Sequence, residues 1–365
     1  MKKFLLPFAA FIMCTTFAHS TIRRIGFFLS PVTNVDYPSL QAAHDASNAG
    51  DTILVLPLAS VNGNISKPLV LIGPGYFLDS TNTNYVGNGS LQANTASNEY
   101  GGATLTFLAG SSGTVLQGLT LNLINFNDNN LSNNILIERC DIKGNNFFNT
   151  NAGNITYQQC VIENYISTNG PSTPAFTVAN LSFLNCLFNN NIGYASLQIN
   201  FTQSNYTVNG TMANCVVVSP GTVINTSAGA WLVTNSVFNS GVQVFFVGYS
   251  TNVSNIIFID NISLNSEYPF DNTGSNSGNL VSSFAKVFKL SGSYDGQWAL
   301  AAGSPAIGTG QNGAASTDIG IFGGQTPYVL SGIPPIPTIY TISSPEGVLG
   351  SGTTYTINLS TRSNN

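Results

Sequence analysis

Apolar residues in this chain recur two positions apart, and the groups they form recur every twenty-odd residues. The clearest instance is Ile135-Leu136-Ile137-Glu138-Arg139-Cys140-Asp141-Ile142-Lys143-Gly144-Asn145. The same frame returns from Ile155 to Ile162, from Leu181 to Phe188, around Cys215, around Ser236 and, earlier, around Gly118. With the small residue numbered zero, positions −5 and −3 are mostly large and apolar, as in Ile135 and Ile137 or Trp231 and Val233. Position +2 is apolar again: Ile142, Ile162, Phe188, Val217 and Phe238. A step of two is the periodicity of a strand with one face in and one out. The three-residue step from −3 to zero breaks that alternation, so the chain must bend there. Anchors at 118, 140, 160, 186, 215 and 236 lie about 20 to 29 residues apart, a period that marks stacked repeats.

Two short strands joined by a bend describe one coil of a parallel β-helix, and stacked coils place equal positions about 4.8 Å apart in columns. Position −1 reads Gln117, Arg139, Gln159, Asn185, Asn214, Asn235. Side-chain amides both donate and accept, so this polar column predicts an asparagine ladder that bonds coil to coil at the bend. These motifs resemble those of the secreted bacterial right-handed parallel β-helix repeat proteins with pectin-lyase-like architecture, over roughly residues 35 to 325. The expected fold class is therefore all-β: a right-handed parallel β-helix solenoid with an N-terminal capping helix and a short C-terminal β tail. The capping helix is expected over Asp36 to Ala46, with Leu40 and Ala43 on one face and Gly50 at its stop,. Coils are expected to close through Trp298-Ala299-Leu300 and the glycine-rich run Asp318 to Gly324, with residues 80–102 and 265–285 as polar insertions.

The ends divide the chain further. Residues 1–20 read as a signal peptide: Lys2-Lys3, an apolar run from Phe4 to Phe17, and Ala18-His19-Ser20 as a cleavage site,. The run is too short for a transmembrane helix, and the expected location is secreted or at the cell surface. A lipoprotein reading of Cys14 is disfavoured because Phe11-Ile12-Met13 lacks small residues. Residues 21–325 form the expected β-helix domain, and 326–365 a Pro-rich connector, Ile333-Pro334-Pro335-Ile336-Pro337, followed by the tail,. The tail is expected to dock on the solenoid, the alternative being contact with a partner.

Composition narrows the chemistry. Only 7% of residues are charged and the formal net charge is −5, so there is no basic patch and no nucleic-acid partner is expected. The cysteines beyond Cys14, namely Cys140, Cys160, Cys186 and Cys215, all fall at position zero. Parallel stacking disfavours the disulfide torsion, and an interior column of small hydrophobes is the expected role. With His44 on the capping helix, neither a histidine metal site nor a Ser-His-Asp triad is expected.

Charge gathers around one coil: Glu138, Arg139, Asp141 and Lys143, with Glu163 one coil on. The resemblance implies, for polysaccharide lyases of this fold, carboxylates holding Ca²⁺ against an acidic sugar while Lys or Arg abstracts a proton. Asp141, Lys143 and Glu163 are the catalytic candidates of that alternative. Against it, Asp141 is followed at position +1 by Val161, Leu187, Val216 and Val237, so no second carboxylate stacks on it, and Ca²⁺ wants six to eight oxygens. Lys143 and Glu163 share position +3 and read as a cross-strand ion pair of about 0.2–1 kcal/mol. No cofactor or metal is expected. The +1 column itself, with Leu119 included, is apolar yet directed outward, which predicts a cover, either an insertion or the C-terminal tail, with a partner protein as the alternative. Tyr85, Tyr165, Tyr194, Tyr206 and Tyr249, read as loop tyrosines, could stack on sugar rings. The expected function is a secreted, non-catalytic solenoid acting in surface attachment or glycan recognition, with a polysaccharide or cell-surface glycan as partner. The alternative is a polysaccharide lyase or glycosidase, and a third reading is a purely structural exoprotein.

Overall fold

The structure, a computed structural model, describes residues 20–26, 35–83, 85–89, 91–98, 103–127, 132–168, 175–189, 199–201, 206–219, 224–226, 228–240, 245–246, 256–259, 261–264, 274–345 and 354–364. The proposed signal peptide, Cys14, Tyr194 and Tyr249 lie outside them. Short strands dominate, with two α-helices among the described residues, Leu40–Ala46 and Phe284–Val287. None of these helices is long and apolar enough to cross a membrane.

Successive strands visit three parallel sheets in turn, and each pairs with its equivalent one repeat later, an arrangement compatible with a solenoid. Among the described residues the first sheet has 11 strands and carries Ser132–Glu138, Ala152–Gln158, Phe176–Leu184, Tyr206–Ala213 and Trp231–Thr234 side by side. The second has 8, among them Thr120–Leu121, Asp141–Ile142, Val161–Ile162, Leu187–Asn189, Val216–Ser219 and Val237–Ser240; the third also has 8. Register makes the columns real. Ile137, Tyr157, Phe183, Met212 and Val233 are consecutive partners on the first sheet, and all are buried. On the third sheet Phe107, Phe126 and Phe148 stack with ring centroids 5.1 and 4.3 Å apart. Where the −5 column holds Gly210, the Trp231 indole fills the space; a Cβ there would come within 2.5 Å of the ring.

The bend between the first two sheets is a single left-handed residue. Arg139, Gln159, Asn185, Asn214 and Asn235 have φ of 52°, 55°, 53°, 53° and 51°. Their equivalent in the first of these repeats is Gly118, φ 64°, because Gln117 pairs with Glu138 and Thr120 with Asp141. The sequence frame was thus one residue off in that repeat: Leu119 stands with the cysteines at position zero, and Thr120 heads the outward column. Cys140, Cys160, Cys186 and Cys215 are buried free thiols. Each S–H points at backbone carbonyls, as Cys160 Sγ does to Ile137 O at 3.2 Å.

Three further expectations are corrected. Residues 274–277 and Leu280–Val281 form strands on the first and second sheets, so the 265–285 insertion contains a repeat. Tyr206 is an interior strand residue stacked on Phe176 at 4.3 Å, not a loop tyrosine. Residues 298–324 add no strand to the three sheets; they belong to a segment, 284–333, that runs back along the outside of the stack. Val287, Phe288, Trp298, Ala306, Ile319, Ile321 and Tyr328 from that segment, with Tyr76 and Phe77, pack on the outward Val161, Leu187, Val216, Val237 and Ile262. From Val161–Ile162 to Val237–Ser240 the second sheet is therefore buried on both faces, which is why those strands open on adjacent apolar residues. Both the 76–98 insertion and this returning segment supply the cover.

The amide column at the bend does something other than bond repeat to repeat. Asn185 Nδ2 donates to Ile321 O at 2.8 Å and Gly323 O at 2.7 Å. Asn214 reaches Asp318 O, Asn235 reaches Gln311 O, and Gln159 reaches Pro327 O at 2.6 Å. Arg139 donates through Nε to Gln159 Oε1 at 2.8 Å, the one side-chain bond of this column between repeats among the described residues, and through Nη1 to Ile333 O. The column is a row of latches holding the returning backbone. A side-chain asparagine ladder does occur, at exposed positions within central strands of the first sheet: Asn180 donates to Asn154 at 2.7 Å and Asn154 to Asn134 at 2.9 Å. The tail strands Thr338–Ser343 and Asn358–Arg362 pair antiparallel and dock through Ala93 N–H to Ile339 O at 2.7 Å and Arg362 to Leu91 O.

Candidate functional site

Residues 76–98 leave the first sheet after Gly73-Pro74-Gly75 and fold over the start of the second. Asn98 anchors their far end: its side-chain amide donates to Thr120 O and accepts from Thr120 N–H, both at 2.7 Å, taking the place of a preceding strand. Between this insertion and the sheet lies a cavity of about 190 Å³, walled by Tyr76, Phe77, Leu78, Asp79, Asn82 and Tyr85, with Thr95 and Ser97 at its rim and Thr120, Asp141 and Lys143 as its floor.

The three candidates Asp141, Lys143 and Glu163 meet here. Lys143 Nζ lies 2.7 Å from Glu163 Oε1 and 3.0 Å from Asp141 Oδ2. Its ammonium also sits 3.7 Å above the centre of the Tyr85 ring and 5.1 Å from that of Phe77. Tyr85 OH donates to Glu163 Oε2 at 3.3 Å, and Tyr294 OH, which accepts from Asn189 Nδ2 at 2.9 Å, donates to Glu163 Oε1 at 3.4 Å. The group faces outward from the sheet, as the sequence implied, but is not exposed: the insertion and Tyr294 roof it, leaving both carboxylate side chains 2% accessible. The exposed-pair magnitude expected from sequence therefore does not apply, since removing one partner of a buried pair is far more costly.

Burial pushes the Asp141 carboxyl up to about 7, against the pull of Lys143 and with the help of Glu163. Burial alone would lower Lys143, but Asp141 and Glu163 outweigh it and hold the ammonium above the ordinary lysine range. Tyr294 is raised by burial and by the neighbouring carboxylates. The amine is thus a fixed cation, and Asp141 is the group poised to exchange a proton near neutrality.

Glu138 and Arg139 lie apart from the cavity. Glu138 accepts from Gln117 Nε2 at 2.7 Å and Gln158 Nε2 at 3.1 Å along its own column. His44 is buried in the Leu40–Ala46 helix, where Nε2 accepts from Ser66 N–H at 3.1 Å and Nδ1 bonds Asp45 at 2.9 Å. Among the described residues no group of three or more His, Cys, Asp or Glu is placed to hold a metal ion. Sequence reasoning missed Thr120, Phe77, Asp79 and Tyr294. The frame error at Gly118 hid Thr120, whose pairing with Asp141 would otherwise have been legible; the other three come from non-repeating segments with no periodic signal. No protein-family model matches the chain, and no curated protein sequence matches it.

Proposed function

We propose that this protein is an exported solenoid without catalytic activity that recognises glycans, attaching to a polysaccharide or cell surface. The observation that carries this reading is the roofed cavity, with aromatic rings, hydroxyls and amides converging on a floor whose only lysine is already paired. Such a mixture of ring faces and a few placed polar groups is what a small neutral ligand needs. A lyase would need Lys143 as a free base, yet its proton is held by two carboxylates. A glycosidase would need the scissile bond between its two acids, and between Asp141 and Glu163 that space is taken by the Lys143 ammonium. The same proposal includes the signal-directed export, the likeness to pectin-lyase-type β-helices, and α-helix Leu40–Ala46 as an N-terminal cap. It also takes the coil to be right-handed, as parallel β crossovers almost always are.

The test is a glycan array probed with the exported chain, run beside an ultraviolet assay for unsaturated products on acidic polysaccharides. Glycan retention with no absorbance rise is the expected result. A rise that disappears in Lys143→Ala would refute the non-catalytic reading, and an array without retained glycans would refute recognition.

A further inference from the structure

The tail hairpin has one polar face and one apolar face, and the apolar face is bare. Thr338–Ser343 pairs antiparallel with Asn358–Arg362, and register partners in such a pair put their side chains on the same side. Ile342 stands opposite Leu359 and Ile339 opposite Thr361, whereas Thr338, Thr341 and Ser343 stand opposite Arg362, Ser360 and Asn358. The register shifts between Ile339 and Thr341, so Tyr340 is the extra residue of a bulge. Without it Ile339 and Ile342, three positions apart, would point to opposite faces. Ile357 and Tyr355 continue the step of two from Leu359. Ile339, Ile342, Tyr355, Ile357 and Leu359 are 42%, 60%, 50%, 52% and 55% exposed. A sheet with one apolar face needs a second layer against it, and this exposure leaves the face without one.

We propose that the face is a dimer interface whose occupant is the same face of a second copy of this chain. The inference is independent of the glycan reading. Charge favours a second copy: none of the five residues, nor Thr361 beside them, is charged, so the partner surface must itself be uncharged and apolar, as this one is. Shape agrees. At the hairpin's base Ile339 and Ile342 line a groove of about 680 Å³ together with Gln92, Ala93, Thr95 and Pro337. At the far end stands Tyr355, whose OH donates to Pro345 O at 3.4 Å. A two-fold axis that lays two hairpins antiparallel brings the far end of each over the groove of the other, the self-complementarity an isologous interface requires. Packed in this way the hairpins form a small two-layer sandwich with sheets about 10 Å apart. Area sets the strength. A large side chain exposes roughly 200 Å² when bare, so five at about half exposure supply roughly 500 Å² per copy. The resulting total of roughly 1,000 Å² falls below the 1,200–2,000 Å² of stable complexes, so the dimer forms reversibly.

The experiment is sedimentation of the full chain from about 1 µM to about 1 mM, the range of weak association, beside thermal melting followed by circular dichroism. The parent should pass from monomer to dimer as its concentration rises. Ile342→Thr and Leu359→Thr each put a polar, strand-compatible residue at a position already exposed in the monomer. Their melting temperatures at low concentration should therefore match the parent's, while each weakens the dimer by about tenfold or more. Thr341→Val, on the opposite face, should leave the dimer unchanged. A parent that stays monomeric throughout would overturn the proposal and leave the face to a different protein's apolar sheet. Dimers that survive both threonine substitutions would overturn the assignment to this face, and growth beyond the dimer would overturn the two-fold closure.

Discussion

Replacing Asn185 with alanine should loosen the returning segment from the stack, and replacing it with glycine should do so by less. Asn185 sits at φ 53°, and its amide bonds Ile321 O and Gly323 O while its oxygen accepts from Thr326 Oγ1 at 3.1 Å. Loss of the amide leaves Gly323 O without that donor, at about 1–3 kcal/mol, and takes about 1 kcal/mol from Ile321 O. The second figure is the smaller because Ile321 O keeps the Tyr328 N–H at 2.8 Å. Alanine adds about 1–2 kcal/mol for a left-handed backbone that glycine adopts freely. The expected losses are about 3–6 kcal/mol for Asn185→Ala and about 2–4 kcal/mol for Asn185→Gly, large beside a typical stability of about 5–15 kcal/mol. Trp298 reports the returning segment and Trp231 the interior. Urea unfolding followed by fluorescence in a Trp231→Phe background, beside far-ultraviolet circular dichroism, separates the two. Both variants should shift the Trp298 transition to lower urea, alanine further than glycine. Equal shifts would show that the bend stores no backbone preference, and shifts under about 0.5 kcal/mol for both would refute the latch.

Asp141 should make the protein less stable as pH rises. Its native carboxyl, raised to about 7 from 3.8, keeps its proton through a range in which the unfolded chain has released it, so stability present below about pH 4 is lost on the way to 7. Asp141→Asn should abolish that fall and match or exceed the parent at pH 8 in urea titrations; an unchanged pH slope would place the charge elsewhere. Lys143→Met leaves two buried carboxylates without their shared cation and should cost about 3–5 kcal/mol at neutral pH; a loss below about 1 kcal/mol would mean that the ammonium does not hold the site together. Burial pushes the Cys140, Cys160 and Cys186 thiols well up, and with Cys215 they face the interior. An aromatic disulfide reagent at pH 8 should therefore find none of these four in the native state and all four in denaturant, whereas rapid native reaction would reveal an open core.

The repeat was legible because it rests on local steric rules. Alternation by two, a small residue at zero and a polar residue before it report how one short strand meets the next, and parallel stacking multiplies that signal. The cavity was only partly legible. Asp141, Lys143 and Glu163 belong to the repeat and were found by their column positions, although their burial was not. Tyr85 was noticed as a loop aromatic, but nothing in its surroundings tied it to Lys143. Gly118 misled the frame because glycine serves equally as a small interior residue and as a left-handed bend, and the two roles are one position apart.

Sequence alone determined the columns: cysteine sulfurs and corner polar residues are set by a period that any in-register parallel stack must honour. Only the tertiary structure decided what those columns face. Whether a corner amide bonds its neighbour or a distant carbonyl, and whether an outward valine is bare or buried, depends on where a non-repeating segment returns, 76 to 194 residues further along the chain. That path is selected by the apolar area it covers and the polar atoms it satisfies, both properties of the assembled surface that no local spacing encodes.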